Sequence, residues 1–293
     1  MQIWPAPAKL NLFLHVIGQR EDGYHLLQSA IQFIDLCDEL TFTLRNDAKI
    51  TCENSNKVIS QQDDLCVKSA RLLQAKTGAT QGVDIRVRKN IPLGAGLGGG
   101  SSDAATTLLA LNQAWDCGLQ RPELEALAIQ LGADVPVFIR GYACWVEGIG
   151  EQLEKISFDE LWYVVVFPHV HLDTQKMFTD SDLTRNCAPI KIRDFLAACS
   201  GPKSSRKQAE TGKLQNVFEP IARRQPAVEQ AFQYLNQFGT ARLTGSGSGI
   251  FLACESKPQA EEIAASYNKD FAVYVTKSLN ESPVNLFSEY NQP

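Results

Sequence analysis

From Pro92 to Ala105 the chain reads Pro-Leu-Gly-Ala-Gly-Leu-Gly-Gly-Gly-Ser-Ser-Asp-Ala-Ala, with five glycines in the seven positions 94–100. Glycine removes the Cβ that would hold a ligand away from the backbone, and it tolerates positive φ. An Ala/Thr/Leu-rich run follows. A helix beginning near Ser101 would turn its free amides and the positive end of its dipole into the loop. That is the chemistry of an anion site suited to phosphate. The plain alternative is a flexible glycine turn ahead of an ordinary helix.

Two common phosphate loops do not fit. A P-loop needs Gly-x-x-x-x-Gly-Lys-Ser/Thr, and the one Gly-Lys pair, Gly212-Lys213, is followed by Leu214 and lacks the first glycine. Gly94, Gly96 and Gly99 satisfy the dinucleotide pattern Gly-x-Gly-x-x-Gly formally. That fingerprint also needs a tight strand-to-helix turn and a second strand ending in an acid about 20 residues on. Pro92 interrupts the approach, and Asn112–Gly118, around Asp116, does not read as a strand. The chain also contains neither His-Arg-Asp nor Asp-Phe-Gly, the marks of eukaryotic-type protein kinases.

The segment Pro92–Ala105 resembles the Pro-x-x-x-Gly-Leu-Gly-Ser-Ser-Ala-Ala motif of the GHMP kinases, with one extra glycine and Asp103 inserted. Pro7-Ala8-Lys9-Leu10-Asn11-Leu12 resembles the first motif of that family, and Leu243–Gly249 the third. Further segments, Lys9–Leu14, Gly18–His25, Leu131–Phe138 and Glu147–Glu151, resemble one branch of the family. The acceptor of that branch is the cytidine diphosphate ester of methylerythritol, on the non-mevalonate route to isoprenoid precursors. The resemblance implies an α+β fold of two α/β sandwich domains with the active site in the cleft between them. It implies an ATP-binding domain over 1–157, a substrate-binding domain over 158–293, and ATP and Mg²⁺ as cofactors.

Phosphoryl transfer needs a cradle, a cation against developing charge, and often a group to take the hydroxyl proton. Pro92, Leu93, Gly94, Ala95, Gly96, Leu97, Gly98, Gly99, Gly100, Ser101 and Ser102 are the expected cradle. No carboxylate cage for a metal is visible, and magnesium commonly keeps waters and phosphate oxygens instead. By resemblance Asp134 is the base; read alone, it could equally cap a short helix ahead of Pro136. Lys9 is the only charged residue between Met1 and Gly18 and would hold a nearby carboxylate ionised. Its alternative is a stem lying along the strand with the ammonium in solvent.

On the acceptor side the expected residues are Asn11, Tyr24 and His25, with Thr174 and Phe178 completing a clamp for the pyrimidine. Generic turn packing is the alternative for Tyr24-His25. Gly245, Ser246 and Gly247 are expected to form a second backbone nest closing over the first loop, unless they are only a glycine-rich hairpin. On the adenine side stand Lys89, Asp64 and Leu65. Asp64 occupies a place where the family often has Asn, which leaves the side-chain contact in doubt and the Leu65 backbone contact intact. His15, His169 and His171 have no partners at metal spacing and read as structural or surface residues.

These residues need elements to hold them. Strands are predicted at Trp4–Val16, Ile31–Leu44, Val83–Val87, Trp162–Pro168, Ala241–Thr244, Ile250–Cys254 and Phe271–Val275. Asp22-Gly23 marks a turn. Helices are predicted at Leu65–Lys76, Ser102–Trp115, Pro122–Leu131 (capped by Gly132), Pro226–Phe238 and Pro258–Tyr267. The polar stretch Gly201–Lys207 reads as a mobile loop and the last dozen residues as a tail.

At 293 residues the chain has room for two domains, and its net charge of −5 argues against a nucleic-acid partner. An acidic protein handling anionic nucleotides must gather its cations locally. The eight cysteines show no C-x-x-C and no metal-ligand spacing. Cys66, Cys144 and Cys254 lie in apolar runs as small buried hydrophobes. No run approaches the ~20 apolar residues of a membrane span, and the N-terminus does not read as a signal peptide, so a cytoplasmic, small-molecule enzyme is expected. Its rivals are another GHMP kinase, for a sugar, mevalonate or homoserine, and an inactive nucleotide-binding regulator of the same fold. Retention of both Lys9 and Asp134 argues against the regulator.

Overall fold

Two long strands carry the architecture of this computed structural model, which describes residues 2–55, 60, 62–199, 214–267 and 271–287. Strand β1 (Trp4–Gln19) is buried on both faces from Ala6 to Val16, and it pairs antiparallel along its length with β2 (His25–Arg45). Gly23, at φ +88°, turns the chain between them. Register shifts fall between Pro7 and Ala8 and between Asn11 and Phe13. They bracket Lys9-Leu10-Asn11, and such bulges re-aim side chains locally. Lys9 and Asn11, two apart, stay on one face.

On the N-terminal side, β2 pairs with β4 (Gly82–Arg88), which takes β3 (Ile50–Asn54) in parallel. It also pairs with β5 (Cys144–Glu147), which carries β6 (Gln152–Lys155). Helices α1 (Leu65–Thr77), α2 (Gly99–Ala114), α3 (Arg121–Ala128) and α4 (Val135–Arg140) complete this half around one core. Helix α2 is buried almost all round, which explains its Ala/Thr/Leu composition: a helix enclosed on every side has no polar face to keep.

The C-terminal half is built on β7 (Trp162–Phe167), which lies antiparallel between β10 (Ala272–Leu279) and β9 (Ile250–Cys254), with β8 (Arg242–Leu243) beyond. Around it run α5 (Thr174–Thr179), α6 (Ile192–Cys199), α7 (Glu219–Ala222), α8 (Pro226–Leu235) and α9 (Lys257–Ser266). The halves are joined through the sheet, where Ser278 and Leu279 of β10 pair with Ile34 and Phe33 of β2. A third core between them includes Leu10, Phe13, Ile34, Leu97, Trp145 and Phe195.

Several boundaries differ from the sequence reading. Helix α2 begins at Gly99, because Gly98 itself takes the left-handed N-cap conformation. Helix α3 stops at Ala128, and Gly132 closes a further turn by donating to Ala128 O at 3.3 Å. The expected tail is partly built in. Pro283–Leu286 forms a 3₁₀ turn with Val284 in the core, and Phe287 lies 5.9 Å from the Trp4 ring. The stretch 201–207 lies outside the described residues. Among the described residues no helix is long and apolar enough to cross a membrane.

Candidate active site

A cleft of about 1060 Å³ opens between the halves. That is the upper end for one drug-sized ligand, and enough for a nucleotide beside an acceptor. On its floor, Lys9 Nζ lies 3.5 Å from Asp134 Oδ2, with the lysine side chain 4% exposed and the aspartate side chain 48%. Lys9 Nζ also donates to Asn11 Oδ1, and Asn11 Nδ2 donates to Ser29 Oγ at 2.9 Å. Asp134 sits at the N-cap position of α4, yet its carboxylate makes no capping hydrogen bond there. Instead it reaches into the cleft toward the ammonium.

Above this pair runs the glycine loop. Gly94, Gly96 and Gly98 all take positive φ, at +72°, +71° and +73°. Two of them permit no side chain. A Cβ on Gly98 would lie 2.8 Å from Phe138 Cζ and 3.1 Å from Lys9 Cγ, while one on Gly96 would lie 2.2 Å from Thr244 O. The first α2 hydrogen bond runs from Ser102 N to Gly98 O at 2.9 Å. The preceding amides of Gly99, Gly100 and Ser101 therefore have no intrahelical acceptor, and all three residues line the cleft. Free amides at the end of a sixteen-residue buried helix have the chemistry to cradle a phosphate.

The late Gly/Ser turn interlocks with this loop. Ser248 N donates to Gly94 O at 3.2 Å and Gly249 N to Ala95 O at 3.0 Å. Thr244 Oγ1 accepts from Asn11 N at 3.0 Å, tying the turn to β1. Beneath it the buried Asn216 donates through Nδ2 to Gly245 O at 2.7 Å and Leu243 O at 3.0 Å. Thr174 and Ser246, which both line the cleft, join hydroxyls at 2.7 Å.

At the far end Tyr24 is exposed, and the His25 ring stacks on Phe178 at 5.0 Å with an interplanar angle of 22°. Phe178 in turn meets Phe218 edge-on at 4.8 Å. The cleft wall thus gathers Lys9, Asp134, Asn11, Tyr24, His25, Thr174, Phe178, Gly245, Ser246, Gly247, Leu65, Lys89 and the run Pro92–Ser101.

Two predicted residues stand elsewhere. Ser102 is fully buried inside α2 and leaves its Oγ unpartnered. Asp64 is buried behind the cleft wall, where its Oδ1 accepts from Cys66 N at 2.8 Å and caps α1. Lys89 reaches the wall, but its ammonium is held by Asp38 and by Asp103 Oδ2, at 2.6 Å from the latter. Burial pulls Lys89 down, and the Asp103 and Asp38 carboxylates outweigh it, so its pKa ends above the ordinary lysine value. Burial pushes the Asp103 carboxyl well up despite Lys89, and Asp38 adds to the rise. Asp38 Oδ1 also accepts from Asn90 N and Ile91 N, at 2.6 and 2.8 Å, which fixes the chain as it enters the loop.

Sequence reasoning did not single out Asp38, Asn216 or Arg185, and it read His171 as a structural or surface residue, whereas the structure places it on the cleft lining. His171 stands exposed on the cleft wall, its Nδ1 2.8 Å from where a Gly94 Cβ would fall. Asp103 did leave a signal, as the acid inserted into the loop motif. Cys52, Asp64 and Cys66 bring potential ligand atoms within 4.8 Å of one another, a grouping invisible in their spacing. There the neighbouring Cys52 thiol and then burial hold the Cys66 thiol well above its ordinary pKa. As to magnesium, the cleft-lining carboxylates among the described residues are Asp22 and Asp134, which form no cage. The donor set fits an ion carried mainly by phosphate oxygens and water.

The chain matches the family described as "GHMP kinases N terminal domain" over residues 64–142 and that described as "GHMP kinases C terminal" over residues 202–273. It is 47% identical over 283 residues to a 4-diphosphocytidyl-2-C-methyl-D-erythritol kinase of Nitrosococcus oceani, covering 96% of each chain. It is likewise 47% identical to the protein of that name from Xanthomonas axonopodis pv. citri, covering 96% of this chain and 92% of the relative. Among solved structures, a 4-(cytidine 5'-diphospho)-2C-methyl-D-erythritol kinase superposes with a TM-score of 0.80 at 29% identity, covering 94% of this chain and 99% of the other. A mevalonate kinase, at a TM-score of 0.70 and 15% identity, shares the fold. The three sequence motifs, their convergence on one cleft and these matches along nearly the whole chain lead to one assignment: the chain belongs to the GHMP kinase family.

Proposed function

We propose that the chain is an ATP-dependent kinase that phosphorylates the 2-hydroxyl of 4-diphosphocytidyl-2-C-methyl-D-erythritol. The Lys9–Asp134 pair, set beside a cradle of free amides, is the observation that carries the reading. The ATP phosphates rest on the loop 94–101, with the adenine toward Leu65. The cytidine end of the acceptor lies among Tyr24, His25 and Phe178, and its polyol reaches toward Asn11 and Asp134. Asp134 takes the hydroxyl proton as the oxygen attacks the γ-phosphorus and the bond to the ADP oxygen breaks. Lys9 orients the carboxylate and stands by as charge develops. Magnesium, bound with the nucleotide, would neutralise phosphate charge.

An ATP-consumption assay across candidate acceptors tests the reading. Turnover is expected with the cytidine diphosphate ester, and very little with bare methylerythritol, because remote binding energy is then lost for positioning the hydroxyl. Preference for a sugar, mevalonate or homoserine would overturn it.

A further inference from the structure

On the proposed reading, the cleft of an acidic protein must meet the phosphates of two anionic ligands with few cations. Among the described residues its basic wall side chains are Lys9, Lys89, His25 and His171. Three are already committed. Lys9 is held by Asn11 and Asp134, and Lys89 by Asp38 and Asp103. His25 Nε2 accepts from Arg185 Nε at 3.3 Å, its ring stacks on Phe178, and burial, then the Arg185 charge, lowers its pKa. His171 is the uncommitted one: it is exposed, and neither ring nitrogen makes a hydrogen bond among the described residues.

The backbone on either side of His171 is pinned where the two glycine turns interlock. Val170 O accepts from Ser248 Oγ, and Leu172 is buried, its Cδ1 2.9 Å from where a Gly247 Cβ would fall. Ser248 N in turn donates to Gly94 O, and the His171 ring covers Gly94, its Nδ1 2.8 Å from the position of a Gly94 Cβ. The imidazole thus stands over the first glycine of the loop, whereas the free amides suited to ATP phosphates come from Gly99, Gly100 and Ser101. The same chain segment continues into α5, which carries Thr174 and Phe178. His171 therefore joins the segment bearing the pyrimidine clamp to the loop that edges Lys9.

We propose that His171 is a binding residue for the acceptor: its imidazole N–H donates to a phosphate oxygen of the diphosphate that joins cytidine to the polyol. The inference rests on the proposed substrate reading and adds to it a contact for the charged part of the acceptor. That part must cross the cleft from the Tyr24–Phe178 end toward Asp134, and its ionised oxygens only accept. An imidazole supplies an N–H donor whether its ring is neutral or charged, and hydrogen bonds to ionised oxygens are the stronger ones.

The test is ligand truncation. Binding of cytidine diphosphate and of cytidine is measured by calorimetry, with ADP and Mg²⁺ saturating, in wild type, His171→Leu and His171→Gln. His171→Leu fills similar space without a donor and should weaken cytidine diphosphate about tenfold, leaving cytidine, and ATP measured separately, unchanged. His171→Gln keeps an N–H and should recover most of that loss. Equal weakening of cytidine and cytidine diphosphate would mark a packing role, a loss confined to ATP would put the imidazole on the nucleotide, and no loss would mean no contact; each overturns the inference. Should His171→Leu fail to fold, ¹⁵N NMR of the wild type decides. Cytidine diphosphate should then shift the His171 imidazole signals, assigned with His171→Gln, and cytidine should not; equal shifts overturn it. If cytidine diphosphate does not bind the wild type, the substrate reading fails and the inference with it; if it binds and His171→Leu is indifferent, the inference alone fails.

Discussion

Two lysines are buried near the glycine loop, and they are buried differently. Lys89 is saturated: Asp38 and Asp103 enclose its ammonium, and all three side chains are at most 7% exposed. Lys9 is equally hidden, but its carboxylate partner is about half exposed and faces the cleft at 3.5 Å. The first cluster has spent its charges on one another, and its lysine has no free direction toward a substrate. The second retains an oxygen that a substrate hydroxyl can reach. A buried cation marks a reaction centre only when its counter-ion is still open to the ligand.

The largest test of that contrast is Asp134→Asn. The amide keeps the shape but cannot accept a proton, so kcat should fall by about 10²–10⁴-fold. ATP affinity, measured by calorimetry, should change little, because in the proposed reading the phosphates rest on the loop amides. Lys9→Met should also lower kcat, and the double variant should lose less than the product of the single losses, since coupled residues do not add. Full activity in Asp134→Asn would remove the difference between the two clusters.

Lys89→Met should act on stability first. It leaves two buried carboxylates facing each other, and breaking such a cluster costs about 3–5 kcal/mol. The pH dependence follows from Asp103, whose carboxyl burial already raises. A carboxyl with a raised folded-state pKa holds its proton more firmly folded than unfolded, so stability falls as pH rises through that range. The Tm deficit should therefore be smaller near about pH 5 than near about pH 8. An unchanged Tm at both would show that the cluster is not needed.

Gly98→Val tests the glycine loop beside Lys9. A valine at φ +73° is strained, and its Cβ would strike Phe138 and the Lys9 stem. Left-handed backbone alone costs about 1–2 kcal/mol, and KM for ATP should rise about tenfold or more. Normal ATP kinetics in a folded variant would mean that nucleotide does not rest there. The smallest expected effect is at His25. Its NMR titration midpoint should lie below the ordinary 6.5 and rise in Arg185→Met. Because the folded pKa is lowered, any stability His25 contributes is present above 6.5 and is lost as pH falls through the folded value. A midpoint unmoved by Arg185→Met would leave burial as the sole cause.

The site was more legible than its supports. Glycine runs and a lone lysine in an apolar strand carry chemistry in their types, so Lys9 and the loop could be singled out directly. Asp134 could be singled out as an acid but not separated from a helix cap, because only the folded position of its oxygen distinguishes the roles. Asp38 and Arg185 left no local sign. Each acts across a long sequence separation: Asp38 on a lysine 51 residues on, and Arg185 on a histidine 160 residues back. Strand cores and helix bodies followed from periodicity. Their ends did not, since Gly98 caps α2 through its backbone alone and the final turn packs on Trp4 through a contact that local pattern cannot encode.

The hydrogen bonds from Ser248 and Gly249 to Gly94 and Ala95 have a consequence for how the molecule is assembled. They are backbone bonds between residues more than 150 positions apart. The glycine loop is thus edged by main chain from the C-terminal half, and that edge exists only once β8 and β9 have brought their turn into place. The sheet of the first half can form earlier, but the cradle cannot be complete. Nucleotide affinity is a property of the joined chain, and recovery of ATP binding during refolding should trail recovery of N-terminal secondary structure.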